Sequence, residues 1–249
     1  MFLNRRQFTA LAAAAAGVNV VRASVATKYK AIAFDGFPII DARPILAKAE
    51  EIFPGKGAEL SGAWRTRQFE YGWLRSLGGQ YADFWQVTED ALLFAARSVQ
   101  IELSTERRDQ LMQAWLELKA WPDVLPALQR LRAIGIRMAF LSNLTAAMLE
   151  AVVKNSGLEG MFEDHLTTDR VHAFKPDPRA YQMGVDAFEL KKEEIAFAAF
   201  AGWDVAGAKW FGYPTFWVNR AKAPAEELGV EPDGTGSGLD DLVRFVLAA

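Results

Sequence analysis

From residue 124 onward the chain alternates helix-period and strand-period apolar segments, and nothing else in it restricts the fold as tightly. Helical spacing covers 124–134, and 137–141 reads as a strand. A helix capped by Thr145 ends at Gly157, and a short strand follows at 165–168. The rhythm repeats as a helix at 178–188, a strand at 195–199, a helix at 205–211 and a strand at 215–218. Such alternation predicts a doubly wound, Rossmann-like α/β core: a parallel sheet with helices on both faces. One more buried strand, 30–34, comes earlier and stops at Asp35-Gly36-Phe37-Pro38, where Gly and Pro punctuate the backbone.

Between these parts, residues 43–121 carry no strand signal. Apolar positions recur at helical spacing over 45–53, 64–77, 84–99 and 111–118, with turns at Pro54-Gly55-Lys56-Gly57, Gly78-Gly79 and Leu103-Ser104-Thr105. The block reads as an all-helical cap subdomain, 43–121, inserted into an α/β core formed by 28–42 and 122–249. Gly234-Thr235-Gly236-Ser237-Gly238 reads as a flexible link to a last helix at 239–247. There is no internal repeat.

The first 26 residues read as an address, separate from the fold. Asn4-Arg5-Arg6-Gln7-Phe8 precedes an Ala-rich apolar run, and Ser24-Val25-Ala26 offers the small residues a signal peptidase needs. The apolar run, 10–21, falls short of the roughly 20 residues that span a bilayer as a helix. The segment resembles a twin-arginine signal peptide, which implies export to the periplasm and no membrane attachment after cleavage.

Absences narrow the chemistry. The 249 residues include no Cys, which removes disulfides, thiolate nucleophiles and Cys-based metal sites. The two His, His165 and His172, are too few for a His-rich site, so catalysis falls to carboxylates, Lys and Arg. A formal net charge of −3 with scattered basic residues gives no footprint for nucleic acid.

Ligands of open α/β sheets bind outside the carboxyl ends of the strands. Four polar groups stand there in this chain: Asp35, the pair Ser142-Asn143, Lys175 and Asp204. Singly, each has an ordinary reading as a turn, cap or surface residue. Together they supply a nucleophile, hydroxyl and amide donors, a cation and a second acid.

Phe34-Asp35 followed by an aromatic and Asp41, Leu141-Ser142-Asn143, Phe174-Lys175-Pro176-Asp177 and Trp203-Asp204 resemble the motifs of the haloacid dehalogenase superfamily. Within it, Phe53-Pro54-Gly55, Trp64-Arg65, Gln68-Phe69-Glu70-Tyr71, Trp73-Leu74-Arg75-Ser76-Leu77 and Thr88-Glu89-Asp90-Ala91-Leu92 resemble the cap of the L-2-haloacid dehalogenases. The resemblance implies hydrolysis of short (S)-2-haloalkanoic acids through an ester on Asp35. Arg65 would receive the halide, Lys175 would keep Asp35 ionised, and Asp204 would position Lys175 and orient or deprotonate water. Ser142 and Asn143 would hold the substrate carboxylate. Phe37, Phe84 and Trp203 would wall off C2, with Tyr181 among the substrate contacts. No cofactor or metal is implied: superfamily phosphatases carry a second Asp where this chain has Phe37. A homodimer is what the family suggests.

Three positions depart from the family pattern. Ile39 stands where a Thr is usual, and Ala199 and Ala201 stand where Ser and Asn contribute to the water and substrate site. These losses predict that displacement is better preserved than ester hydrolysis. They also keep open a non-catalytic ligand-binding homologue, and, less favoured because of Phe37, a phosphatase.

Overall fold

β1 (Ala31–Phe34) is four consecutive buried apolar residues, a pattern that only a strand covered on both faces satisfies. The computed structural model describes residues 27–249. The signal-peptide reading falls on residues 1–26 and lies outside the described residues. After β1 come β2 (Ile40–Asp41), α1 (Arg43–Ile52), α2 (Gly57–Leu77), α3 (Phe84–Ser98), α4 (Thr105–Gln113) and β3 (Lys119–Ala120). The alternating part follows as α5 (Val124–Ala133), β4 (Arg137–Ser142), α6 (Ala146–Ser156), β5 (His165–Thr167), α7 (Pro178–Phe188) and β6 (Ile195–Ala199). α8 (Gly202–Phe211), β7 (Thr215–Val218), β8 (Gly234–Gly236) and α9 (Leu239–Leu247) complete the chain.

Six strands form one parallel sheet in the order β5-β4-β1-β6-β7-β8. The period-2 alternation of side chains divides the core in two. Ile32, Phe34 and Phe140 pack with Leu128 of α5, Leu149 of α6 and Val243 of α9. Ala31, Ala33, Ala139 and Leu141 pack with Tyr181 of α7 and Ala208 of α8. The winding runs outward from β1 through β4 on one side and through β6 on the other, so the crevice at the carboxyl end of β1 is the switch point where ligands bind in such sheets.

Three local readings need correction. The glycine run at 234–238 does not link: its first half is β8, paired in parallel with β7. Glycine is needed there because a Cβ on Gly234 would lie 2.8 Å from Phe245 and 2.9 Å from Phe216. The insertion is bounded by a two-stranded ribbon, β2 against β3, whose strands are too short to show a period. The helix start read at Leu103-Ser104-Thr105 is at Thr105, where the Ser104 side chain accepts the Arg107 N–H, but the helical spacing over 111–118 does not continue as one helix and gives way to a 3₁₀ turn at Ala114–Leu116.

Buried polar contacts lock α2 to α3. The Trp64 indole donates to the Thr88 carbonyl at 2.7 Å, and Gln68 Nε2 donates to Thr88 Oγ1 at 2.7 Å. The Thr88 hydroxyl in turn donates to the Phe84 carbonyl. Thr88→Val keeps the volume but leaves the Gln68 amide without an acceptor. It should cost about 1–3 kcal/mol in urea unfolding, and Gln68→Leu in the same chain should restore part of that loss.

Candidate active site

At the carboxyl end of β1 the chain turns away through Gly36, and Asp35 is left at the sheet edge, 7% exposed. Its Oδ2 accepts the Phe37 N–H at 3.2 Å. Its Oδ1 accepts the Lys175 ammonium at 2.8 Å, and that ammonium also donates to Asp204 Oδ2 at 2.6 Å. Lys175 has no exposed side-chain surface and Asp204 almost none. Charges are buried at this density only when paired and hydrogen-bonded.

The titration of the cluster follows from that burial. Desolvation pushes Asp204 up to about 6, against the pull of Lys175 and with a further push from Asp35. Burial would lower Lys175, but the two carboxylates outweigh it and hold the ammonium above its ordinary value. Burial, then the Asp204 charge, raises the Tyr181 phenol well above its usual range. Tyr181 is therefore a firm donor, bonded to Asp204 Oδ1 at 2.7 Å. Lys175 stays protonated while Asp204 titrates near neutrality.

The loop that carries Lys175 is braced from both sides. Asn143 Oδ1 accepts the Lys175 backbone N–H at 3.0 Å. From α2, the Trp73 indole donates to the Lys175 carbonyl at 3.2 Å, and Ser76 Oγ accepts the Phe174 N–H at 2.9 Å. Ser142 is buried at the end of β4, its Oγ accepting the Leu144 N–H at 3.2 Å.

Arg65 lies on the exposed face of α2 with its guanidinium over the Phe69 ring. Among the described residues no carboxylate pairs with it, and Glu70 is taken instead by Arg67 at 2.9 Å. Arg65 lines a cavity of about 400 Å³ together with Phe37, Phe69 and Phe200. Trp203 packs edge-on against Phe69 and Trp73, with ring centroids 5.5 and 5.6 Å away.

The structure thus brings Asp35, Lys175 and Asp204 into one cluster, braced by Asn143, and sets Phe37 and Arg65 on the adjoining cavity. Of the six expected substrate contacts only Phe37 lines the cavity; Ser142, Asn143 and Trp203 do not, and Phe84 and Tyr181 serve elsewhere. Phe84 is buried edge-on to Trp115 and Phe174 and does not line the cavity. Helical spacing with Thr88 and Leu92 on α3 draws it into the core of the insertion. Tyr181 is fully buried beneath Asp204 and acts on that carboxylate. Two participants were not anticipated. Phe200, whose ring lies 5.9 Å from that of Phe37, occupies the position between Ala199 and Ala201, and that placement at a strand end was the signal available. Trp73 belongs to the Trp73-Leu74-Arg75-Ser76-Leu77 stretch that resembles the family's cap, and that resemblance was the signal available.

A parallel α/β core with a buried carboxylate at the switch point, a lysine bridging it to a second acid, and a helical insertion defines the class. A family model for haloacid dehalogenase-like hydrolases matches residues 6–212, and the chain belongs to that family. It is 40% identical to a (S)-2-haloacid dehalogenase of Pseudomonas sp. (strain YL), over 87% of this chain and 94% of the relative. Among solved structures, an L-2-haloacid dehalogenase superposes with a TM-score of 0.86 at 39% identity, covering 88% of this chain and 98% of that one. The L-2-haloacid dehalogenase from Xanthobacter autotrophicus with chloropropionic acid covalently bound gives a TM-score of 0.80 at 31% identity, with coverage of 88% and 98%.

If Asp204 works as a carboxylate, turnover should fall toward acid with a midpoint near pH 6. The Tyr181 hydrogen bond favours the ionised form of Asp204. Tyr181→Phe should therefore raise the carboxylate pKa and move this acid limb to higher pH, read from a pH profile of kcat.

Proposed function

We propose that this hydrolase converts (S)-2-haloalkanoic acids to 2-hydroxy acids with inversion at C2. The observation that carries the proposal is the Asp35 carboxylate itself. One of its oxygens is held by the buried Lys175 ammonium, while Oδ2 accepts one backbone N–H and no cation. Oδ2 is thus the oxygen with electron density to donate. It forms a bond to C2 as the carbon–halogen bond breaks, and the halide leaves with the bonding pair toward Arg65. A guanidinium that pairs with no carboxylate among the described residues suits a charge that grows during the step.

The second half of the reaction regenerates Asp35. Water adds to Cγ of the Asp35 ester and gives one proton to Asp204. The Cγ–Oδ2 bond then breaks, the departing 2-hydroxy acid keeps Oδ2 as its hydroxyl oxygen and takes that proton, and Asp35 is left as a carboxylic acid that loses its proton to solvent. A carboxylate pushed up to about 6 is a better base near neutral pH than an ordinary one. Asp204 already accepts from Lys175 and Tyr181, and each carboxylate oxygen retains a further lone pair. Around the water's approach, Ala199, Phe200 and Ala201 offer methyls and a ring. That lack of polar side chains favours slow ester hydrolysis.

Purified protein mixed with (S)-2-chloropropionate should release chloride, and mass spectrometry should detect an ester on Asp35 that outlasts the displacement step. Asp35→Asn should abolish both signals. Release of chloride without any adduct, or full activity in Asp35→Asn, would remove the mechanism. Neither chloride nor adduct with any haloacid would remove the function.

The proposal includes export, supported by Arg5-Arg6 ahead of the Ala-rich run. In the native host the mature protein should be recovered from the periplasmic fraction with an N-terminus near residue 27. Arg5→Lys with Arg6→Lys should leave it inside the cell.

A further inference from the structure

We infer that the cavity between α1 and α2 is a binding site for the substituent on C2, and that the preferred substrates are medium-chain 2-haloalkanoates with about three to six carbons there. The inference rests on the function proposed above and extends it to the substrate's size. The space of about 400 Å³ falls in the range that holds drug-sized ligands. A two- or three-carbon haloacid would leave most of it unfilled.

The chemistry of the wall decides what fills the rest. Ala42, Ile45 and Leu46 on one side face Ala58, Gly62 and Phe69 on the other. Residues 58, 62, 65 and 69 are spaced to share one face of α2, so the cavity follows that helix from the halide-receiving end at Arg65 toward an apolar end at Ala58. Of the six polar side chains along the way three are already committed, while Ser61 Oγ and Trp115 Nε1 are buried without a hydrogen-bond partner among the described residues. Arg43 is held by both oxygens of Asp41, the Gln68 amide by Thr88 and the Trp64 indole by the Thr88 carbonyl. Arg65 is left as the charged group without a carboxylate, at the end where an anion is expected. An apolar chain is the occupant that matches the alanine, isoleucine, leucine and phenylalanine side chains of the wall.

The position of the cavity relative to the nucleophile fits the same assignment. Its lining includes Phe37, whose N–H holds Asp35, and Phe200, which directly follows β6. A substrate attacked at C2 by Asp35 Oδ2 would have its substituent start beside this ring pair and run outward along α2.

Gly62 is where the length is set. It lines the cavity, and a Cβ built there meets nothing within 4 Å. A side chain at this helix-interior position would therefore occupy open space without displacing packed atoms. Replacement of glycine in a helix interior also favours the fold.

The test is halide release from the (S)-2-bromo acids of propionate, butanoate, hexanoate and octanoate, with unhalogenated hexanoate as an inhibitor of bromopropionate turnover. In the unaltered protein kcat/KM should rise about fourfold per added methylene until the cavity is full, as burial of each methylene predicts. Hexanoate should inhibit more tightly than propionate by the same factor per carbon. Gly62→Ala should reduce the preference for bromohexanoate over bromopropionate, and Gly62→Leu should reduce it at least tenfold. A flat or falling series in the unaltered protein would overturn the inference, as would an unchanged preference in a Gly62→Leu protein with native circular dichroism. Bromopropionate turnover with no gain from chain length sinks this inference alone, whereas silence with every member of the series sinks the proposed function.

Discussion

A single ammonium group lies between two carboxylates at the edge of the sheet, and the arrangement around it follows from the cost of putting it there. Lys175 is fully buried, so removing either partner would leave a charge in a medium that cannot solvate it, at a cost of about 3–5 kcal/mol. The elements that meet this cost are distant in sequence. Asp35 ends β1, Asp204 sits in the first turn of α8, and Tyr181 of α7 donates to Asp204 from below. Only a sheet whose winding reverses at β1 brings those three elements together. The same contacts that neutralise the lysine leave Asp35 Oδ2 as the less engaged oxygen. Stability and reactivity here depend on the same few bonds.

Much of this was legible in the sequence, for identifiable reasons. The core strands are fully apolar runs bounded by turn residues, and the helices carry strong caps such as Thr145 and a left-handed Gly157. Such local signals survive without tertiary knowledge. The glycine run at 234–236 misled because its composition matches a linker. Its strand state is imposed by Phe216 and Phe245, which no local reading could place. The ribbon of β2 and β3 was hidden for a different reason, since two residues cannot display a period.

For the site, Asp35, Lys175 and Asp204 could be read from charge at strand ends together with a family resemblance. Direction of approach could not. Tyr181 and Phe84 were expected at the substrate, yet the first serves Asp204 from inside the core and the second packs the insertion. Burial on a helix face distinguishes those roles, and it depends on what packs against the helix. Phe200 is the converse case. Alanines stand on either side of a ring that lies 5.9 Å from that of Phe37, so this stretch after β6 turns a ring and no polar side chain toward the cavity.

The hydrogen bonds from α2 to the lysine loop carry a consequence for how the enzyme cycles. Trp73 holds the Lys175 carbonyl and Ser76 the Phe174 N–H, while the insertion is joined to the sheet through the short ribbon of β2 and β3. A swing of the helices on that ribbon, to admit substrate or discharge product, would have to undo both bonds. The bonds that hold the insertion against the sheet are therefore also the ones that fix the backbone of the loop seating the lysine, so the same two contacts serve both the packing of the insertion and the placement of the charge.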